Sequence, residues 1–466
     1  MQITFLGAAG TVTGSRFLIE QGNTKILIDC GLFQERDYVK RNWEPFPVAP
    51  ADIQCILLTH AHTDHCGYLP KLVSDGFRGL IYCTAPTSEI TKVSLLDTAN
   101  LQEADAVFKR KRHQEEKRQG PFPEVPLYTV ADAQKVFPLF HPISFGQEFL
   151  ISNEFKVTYH EAGHILGAAM LQLKFQDAGK EKIIIFSGDI GRWNRPIIDD
   201  PHLFERADYV VMEATYGNKK HEDEENASQK FEKIIQEAER RGGNIIIPTF
   251  AIERAQELLY HLQELYQQKR IPPILTFLDS PMAIQITKVF NKYSTCFDEE
   301  AKLRMQKTES IFSFPLLKMT ETIEQSKAIN VIKGTCLIMA GSGMCNGGRI
   351  KHHLLHNITR EESTILFVGY QAKGTLGREI LEKPSRVRIF GKTWPVRARI
   401  EKINGFSAHA DREELLRWVK GFCQAPQKIF IVHAESIAAE SFSSLLKEEI
   451  KTDVKIAQYL ERIELE

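Results

Sequence analysis

Seven consecutive residues decide how this chain is interpreted: Thr59-His60-Ala61-His62-Thr63-Asp64-His65. Three histidines and one aspartate fall within six positions, and imidazole and carboxylate are the ligands that zinc and similar divalent cations prefer. The segment follows the apolar run Cys55–Leu58, which predicts a buried strand. Ligands are usually mounted on a loop at the end of a rigid strand. The segment therefore predicts a divalent metal site.

Four ligands on one loop cannot complete two coordination shells, so further ligands must come from elsewhere in the chain. Polar residues at the ends of other predicted strands are the candidates, and they are His164, Asp189 and His433. Each of these residues follows an apolar run that predicts a strand, as the ligands between His60 and His65 do.

A second histidine pattern, His160-Glu161-Ala162-Gly163-His164, matches the H-E-x-x-H signature of zinc proteases. That signature requires a helix, so that both histidines share one face. The preceding residues Phe155–Tyr159 alternate as in a strand, and Gly163 and Gly167 disfavour a helix. We therefore expect no protease site here.

Composition limits the classes of function. The formal net charge is −1, so attraction of a nucleic acid must come from a local patch or a metal centre. The eight cysteines form no C-x-x-C pair, which is typical of a reducing compartment. No apolar run approaches the roughly 20 residues that span a bilayer, and Met1–Leu6 resembles a strand rather than a signal peptide. We expect a cytoplasmic protein without a membrane partner. The charged run Lys109–Arg118 is interpreted as a solvated helix face rather than an RNA-binding patch.

The chain has 466 residues, which is more than one hydrophobic core normally supports. Short β-rich runs dominate the first part, whereas strands alternate with long helices from residue 209 onward, as in parallel βαβ units. The β-rich character returns after Pro384. We therefore expect an α/β protein with three segments, 1–208, 209–383 and 384–466, of which the middle one is a separate, doubly wound domain.

With Asp29 upstream, the order of these residues resembles the metallo-β-lactamase superfamily. The resemblance implies an αββα sandwich with two Zn²⁺ ions at one edge between the sheets, and Mn²⁺ is the alternative metal. It implies that His60, His62 and His164 hold one ion. It implies that Asp64, His65 and His433 hold the other. Asp189 would then bridge the two ions, and Asp29 would support the site without ligating.

The middle segment resembles the β-CASP domain of nucleic-acid-processing members, and this resemblance covers essentially the whole chain. The family's motif A matches Glu213, motif B matches His409 and motif C matches His433. RNA-directed members carry histidine at motif C, so the resemblance implies RNA as substrate. The chain is similar to bacterial and archaeal homologues of the endonuclease subunit of the cleavage and polyadenylation specificity factor. One departure is Ala434, where the family usually has glycine.

The function implied is that of a metal-dependent ribonuclease acting through a hydroxide activated by two metals. Cleavage is expected to be endonucleolytic, and an additional 5′-3′ exonucleolytic mode is left open. Asp64 would orient the hydroxide. His409, held by Glu213, would protonate the leaving oxygen. The alternative for Glu213 and His409 is that they merely join two domains.

Contacts to flanking phosphates are expected from residues with hydroxyl, backbone N–H or cationic groups, which are Ser407, Gly341, Ser342, Gly343, Arg254 and Lys373. Single-stranded RNA is the expected partner, and family members often form homodimers. A DNA-directed nuclease, a small-molecule metallo-hydrolase and an inactive scaffold remain as alternatives. The RNA target, cleavage preference, native metal and oligomeric state are not encoded in these patterns.

Overall fold

The computed structural model describes residues 1–117, 120, 122–221, 224–372 and 374–465. Lys373 and Arg118 lie outside the described residues. The chain forms two compact units, Met1–Lys220 with His409–Glu466, and His221–Ala408. Among the described residues, none of the helices is long and apolar enough to cross a membrane.

These limits differ from the expected boundaries at 208/209 and 383/384. Tyr209–Glu213 pairs with strands on both sides within the first unit. Arg399–Lys402 pairs within the second unit. Because apolar runs look alike in the sequence whichever sheet they join, only the pairing assigns each strand to its domain.

The elements before residue 221 alternate short strands with few helices. The strands are β1 (Gln2–Phe5), β2 (Phe17–Gln21), β3 (Thr24–Ile28), β4 (Cys55–Leu57), β5 (Leu80–Cys83), β6 (Phe140–Pro142), β7 (Glu148–Ser152), β8 (Phe155–Glu161), β9 (Ala169–Asp177), β10 (Lys180–Phe186) and β11 (Tyr209–Glu213). The helices are α1 (Thr63–Cys66), α2 (Leu69–Ser74), α3 (Ala85–Glu116) and α4 (Val130–Val136).

The second unit alternates strands with helices. Its strands are β12 (Ile245–Pro248), β13 (Leu275–Leu278), β14 (Leu317–Met319), β15 (Cys336–Ala340), β16 (Thr364–Phe367), β17 (Arg386–Ile389), β18 (Lys392–Pro395) and β19 (Arg399–Lys402). Its helices are α5 (Glu224–Arg241), α6 (Arg254–Gln267), α7 (Pro281–Lys292), α8 (Glu299–Met305), α9 (Ile323–Ile329), α10 (Ile350–Asn357) and α11 (Leu376–Leu381). The first unit then resumes with α12 (Arg412–Lys420), β20 (Lys428–Val432), α13 (Ser436–Glu449), β21 (Asp453–Ile456) and β22 (Arg462–Glu464).

The described part of the first unit is built on two seven-stranded sheets, with strand orders β22-β1-β2-β3-β4-β5-β6 and β21-β20-β11-β10-β9-β8-β7. Alternate residues of β3 show how the layers form: Ile26 and Ile28 enter the core between the sheets, whereas Leu27 packs beneath the helices. Leu72 of α2 and Leu95 of α3 cover that outer face. On the second sheet, α13 packs against β20 and β21. This arrangement confirms the predicted αββα sandwich.

The second unit contains a parallel sheet with strand order β14-β13-β15-β12-β16-β19, and β17 and β18 form a separate hairpin. The order reverses around β12, the first strand in sequence, so the sheet is doubly wound. Every residue of β12 and β15 is buried, as expected for strands covered by helices on both faces. The predicted inserted α/β domain is therefore confirmed.

Three parallel neighbours, β10, β11 and β20, position the functional edge of the first unit. Because parallel strands end at the same edge of a sheet, the residues that follow them lie close together. Asp189 follows β10, Glu213 ends β11 and His433 follows β20. At the facing sheet, β4 leads into the segment that begins at Thr59.

Candidate metal centre

Four side chains of the first unit bring one ligand atom each to a common point. His60 Nε2 and His164 Nε2 each lie 3.1 Å from His62 Nδ1. The same two nitrogens lie 3.3 and 3.5 Å from Asp189 Oδ2. Tetrahedral zinc with bonds of about 2.0–2.1 Å has ligand atoms about 3.3 Å apart. These four atoms therefore have the spacing of one tetrahedral coordination shell.

A second group adjoins the first through the other oxygen of the same carboxylate. His65 Nε2 lies 3.3 Å from Asp189 Oδ1. His433 Nε2 lies 3.3 Å from Asp64 Oδ2, and the ligand atoms of His65, Asp64 and His433 all lie within 4.8 Å of one another. Asp189 thus presents one oxygen to each group.

The donor set fits divalent cations. His65 Nε2 and Asp189 Oδ1 are buried without a hydrogen-bond partner among the described residues. Buried polar atoms are normally hydrogen-bonded, so orphaned atoms that face one another indicate a missing partner. His62 Nδ1 faces two other ring nitrogens, and one ring position can carry only one proton. A cation at the centre of each group would satisfy these lone pairs.

The protonation of the first group suits coordination. Burial lowers the pKa of His60 to about 4 and that of His62 to about 3. Burial alone would raise the pKa of Asp189, but the neighbouring His433 and His65 hold it well below its usual range. Both imidazoles are therefore neutral and the carboxylate is ionised at neutral pH, which are the ligating forms.

Asp29 and Thr59 fix which nitrogen of two ligands is free. His65 Nδ1 lies 2.7 Å from Asp29 Oδ2, so Nδ1 donates to this carboxylate and Nε2 is the nitrogen left to ligate. The Thr59 hydroxyl donates to Asp29 Oδ2 at 2.9 Å, which leaves its oxygen to accept from His60 Nδ1 at 3.0 Å. Such partners orient metal-binding histidines.

Thr215 has the same relation to His433. Its hydroxyl donates to the His433 carbonyl at 3.2 Å, so its oxygen accepts from His433 Nδ1 at 3.0 Å. The His433 backbone has φ +48°, and its N–H donates to the Ala8 carbonyl at 2.6 Å. Sequence reasoning did not single out Thr59 or Thr215. The available signal was a threonine directly beside a ligand or motif residue at a strand end.

Glu213 and His409 lie beside the metal groups. His409 Nδ1 lies 3.1 Å from Glu213 Oε1, which also accepts the Ile190 N–H at 2.7 Å. Burial alone would lower the pKa of His409, but the Glu213 carboxylate raises it to about 9. The rings of His409 and His164 lie 4.5 Å apart, centroid to centroid. The His409 side chain remains 22% exposed and can meet a substrate.

The H-E-x-x-H pattern forms no helix. His160 and Glu161 lie in β8, paired with Met170 and Ala169 of β9. The His160 ring stacks on His202 at 4.3 Å. The segment therefore lacks the helix that this signature requires, as the alternation of Phe155–Tyr159 predicted.

The residues expected to contact flanking phosphates belong to the second unit, and their contact with RNA stays a prediction. Gly341, Ser342 and Gly343 follow β15, at the carboxyl edge of the parallel sheet. A Cβ on Gly343 would lie 2.6 Å from the Phe250 ring, so a side chain does not fit there. Ser407 is half-buried.

Arg254 differs from the expectation of a cation open to substrate. It is 6% exposed at the start of α6, and its guanidinium contacts the Glu257 carboxylate three residues later. One turn of helix brings the two side chains together, which a sequence pattern of exposed charges does not reveal.

Comparison with known proteins agrees with the fold. Residues 18–195 match the metallo-beta-lactamase superfamily domain, residues 255–380 the Beta-Casp domain, and residues 393–457 the Zn-dependent metallo-hydrolase RNA specificity domain. Ribonuclease TTHA0252 of Thermus thermophilus is 34% identical, over 96% of this chain and 96% of its own length. The chain belongs to the β-CASP branch of the metallo-β-lactamase superfamily.

Two further relatives are a transcription termination factor and an RNase J-like protein. Transcription termination factor FttA of Methanocaldococcus jannaschii is 30% identical over 99% of this chain and 71% of its own length. An RNase J-like protein of the same organism is 27% identical over 96% of both chains. A crystal structure of a protein of unknown function from Enterococcus faecalis matches with a TM-score of 0.55 and 14% identity, over 100% of this chain and 99% of that chain. That last similarity supports the fold alone.

Proposed function

We propose that this β-CASP protein is a metal-dependent ribonuclease that hydrolyses internal phosphodiester bonds of single-stranded RNA, with 5′-3′ exonucleolysis as a second mode. The observation that carries the proposal is the position of Asp189, whose two oxygens face two separate ligand groups at 3.3 Å each. Sites that bridge two cations in this way are typical of phosphodiester hydrolysis.

Zn²⁺ is the cation that we propose for both groups, and Mn²⁺ is the alternative. His60, His62 and His164 would hold one ion, and Asp64, His65 and His433 the other, with Asp189 shared. Two such ions, when bound, supply a water of lowered pKa and neutralise charge on the phosphate.

Asp64 has a second task beside ligation. Its side chain is 20% exposed, so it can accept a hydrogen bond from an attacking water. This contact would orient the water toward phosphorus.

His409 supplies the proton for the leaving oxygen. With its pKa raised to about 9, the ring is protonated at neutral pH. The buried Glu213 accepts from Nδ1, which leaves Nε2–H as the proton that can be transferred. As the P–O bond breaks, the leaving oxygen takes this proton and the ring is later reprotonated by solvent.

RNA is favoured over DNA on two grounds. The match to an RNA specificity domain at residues 393–457 includes His433, the residue at the motif C position. The relative with 34% identity is named a ribonuclease. A small-molecule hydrolase is disfavoured because such an enzyme needs no second α/β unit.

The test is incubation with labelled single-stranded RNA and DNA of the same sequence, with zinc or manganese, with and without chelator. We expect metal-dependent cleavage of RNA and much weaker cleavage of DNA. Equal cleavage of both would refute the preference for RNA. Cleavage of neither, with metal bound, would refute the nuclease proposal.

A further inference from the structure

A groove of about 370 Å³ lies on the first unit, between the turn that follows β11 and the beginning of α12. The turn contributes Asn218, Lys219 and Lys220, and α12 contributes Arg412 and Glu413. The groove is large enough for one nucleotide unit of a strand.

The charges in this groove are not balanced. Lys220 pairs with Glu413 at 2.7 Å, which cancels both. Glu449, which also lines the groove, pairs with Lys420 at 2.8 Å. Within the described parts of the chain, neither Lys219 nor Arg412 has an ion-pair partner. Two exposed cations therefore remain available to an anion.

A short series of contacts links the groove residues to the proposed proton donor. Arg412 is three residues beyond His409, and Lys219 is six residues beyond Glu213. The Arg412 N–H donates to the Lys219 carbonyl at 3.0 Å, and the Lys219 N–H to the Tyr216 carbonyl at 2.9 Å. The Tyr216 ring in turn lies 6.0 Å from the His409 ring, centroid to centroid.

We propose that this groove binds a backbone phosphate of the RNA segment that carries the leaving oxygen, with Lys219 and Arg412 as the contacts. The inference rests on the proposed ribonuclease function, because His409 marks the leaving side of the cut. Because the net charge is −1, a local pair of cations would add to the metal centre in attracting a polyanion.

The test compares Lys219→Gln/Arg412→Gln with the wild-type chain, both carrying metal, by measuring kcat/KM on a labelled 20-nucleotide single-stranded RNA over a range of salt. Each phosphate contact in a single strand releases about 0.7 counter-ion. Removing two contacts therefore reduces the slope of log(kcat/KM) against log[salt], called the salt slope, by about 1.4. Over a fourfold rise in salt, wild-type kcat/KM should therefore fall about sevenfold more than that of the variant. The loss should lie in KM and shrink on shorter RNA.

Lys180→Gln/Lys447→Gln removes two exposed cations of the same unit and is the matched control. The single variant Arg412→Lys, which keeps Lys219 and a cation at position 412, should show most of the wild-type salt slope. A double variant with the wild-type slope, or with the slope of the control, overturns the proposal.

Two further experiments distinguish RNA from a free anion in the groove, and failure of the groove proposal from failure of the ribonuclease proposal. If inorganic phosphate competes with wild-type activity but not with that of the variant, while the RNA slope is unchanged, the groove takes a free anion and the RNA assignment is wrong. Hydrolysis of bis(p-nitrophenyl) phosphate without RNA cleavage by the wild type would refute the ribonuclease function, and the groove proposal would fall with it.

Discussion

Replacing Thr215 with valine removes one hydroxyl from beside His433 and leaves the bulk of the side chain in place. Two hydrogen bonds are lost, the one that the hydroxyl accepts from His433 Nδ1 at 3.0 Å and the one that it donates to the His433 carbonyl at 3.2 Å. The His433 side chain is only 5% exposed, so water has little access to the freed Nδ1–H. The ring is then free to carry its proton on Nε2, which blocks the ligating lone pair.

The magnitude follows from the cost of a buried polar group without a partner, about 1–3 kcal/mol. Because a tenfold change in a dissociation constant corresponds to about 1.4 kcal/mol, this cost lowers the metal affinity by about 5- to 150-fold. Replacing partners of metal ligands usually costs about 10–100-fold. Only the metal affinity of the group containing His433 should fall, because none of the hydrogen bonds described for Thr215 reaches His60, His62 or His164.

The assay is titration of the metal-free chain with Zn²⁺ against a competing chromophoric chelator, which resolves two successive dissociation constants. We expect Thr215→Val to weaken one site and leave the other unchanged, whereas Thr215→Ser, which retains the hydroxyl, stays within about threefold of wild type. Unchanged affinity at both sites in the valine variant would refute the proposed role of the Thr215 hydroxyl in orienting His433. So would a serine variant as defective as the valine variant.

Three further predictions concern other parts of the molecule. His409→Ala should keep its metal content by elemental analysis but lose about 10²–10⁴-fold in RNA cleavage; a parallel loss of metal, or retained cleavage, would contradict the acid role. Burial alone would raise the pKa of Asp279, but hydrogen bonds from His353, Ser326, Thr320 and Arg349 hold it below its usual range, so its stabilising contribution is complete above about pH 4 and is lost as the pH falls further. The stability gap between wild type and Asp279→Asn in urea unfolding should therefore narrow in acid, and a gap independent of pH would contradict this. Gly343→Ala, whose Cβ would lie 2.6 Å from Phe250, should destabilise the chain by about 1–3 kcal/mol, whereas Gly341→Ala, whose nearest neighbour is 3.6 Å away, should unfold as wild type does in the same experiment.

Much of the fold could be predicted because strong apolar patterns dominate local structure. Cys55–Leu57 forms β4 within the apolar run that predicted a buried strand. The alternation of Phe155–Tyr159 correctly indicated a strand where a protease motif would have required a helix. What periodicity cannot supply is the partner of each strand. For that reason the expected limits at residues 208 and 383 differ from those of the two compact units, in which β11 belongs to the first unit and β19 to the second.

In the candidate site, too, some residues could be predicted from the sequence and others could not. Histidines and carboxylates at strand ends were visible because such residues interrupt apolar runs, and the structure brings them together. Thr59 and Thr215 were not visible, because a short polar side chain beside a strand is as typical of an ordinary turn as of a ligand's partner. The burial of Arg254 was not visible either, because it depends on the neighbour one helical turn away, here Glu257, and its contact with RNA stays a prediction.

Asp189 is proposed to join two metal ions in one site. Zinc equivalents per chain, measured by elemental analysis of the purified wild type and of Asp189→Ala after exhaustive dialysis, test this proposal. We expect two equivalents in the wild type and a loss of bound metal in the variant, since both groups share this carboxylate. Two full equivalents in the variant, or none in the wild type, would contradict it.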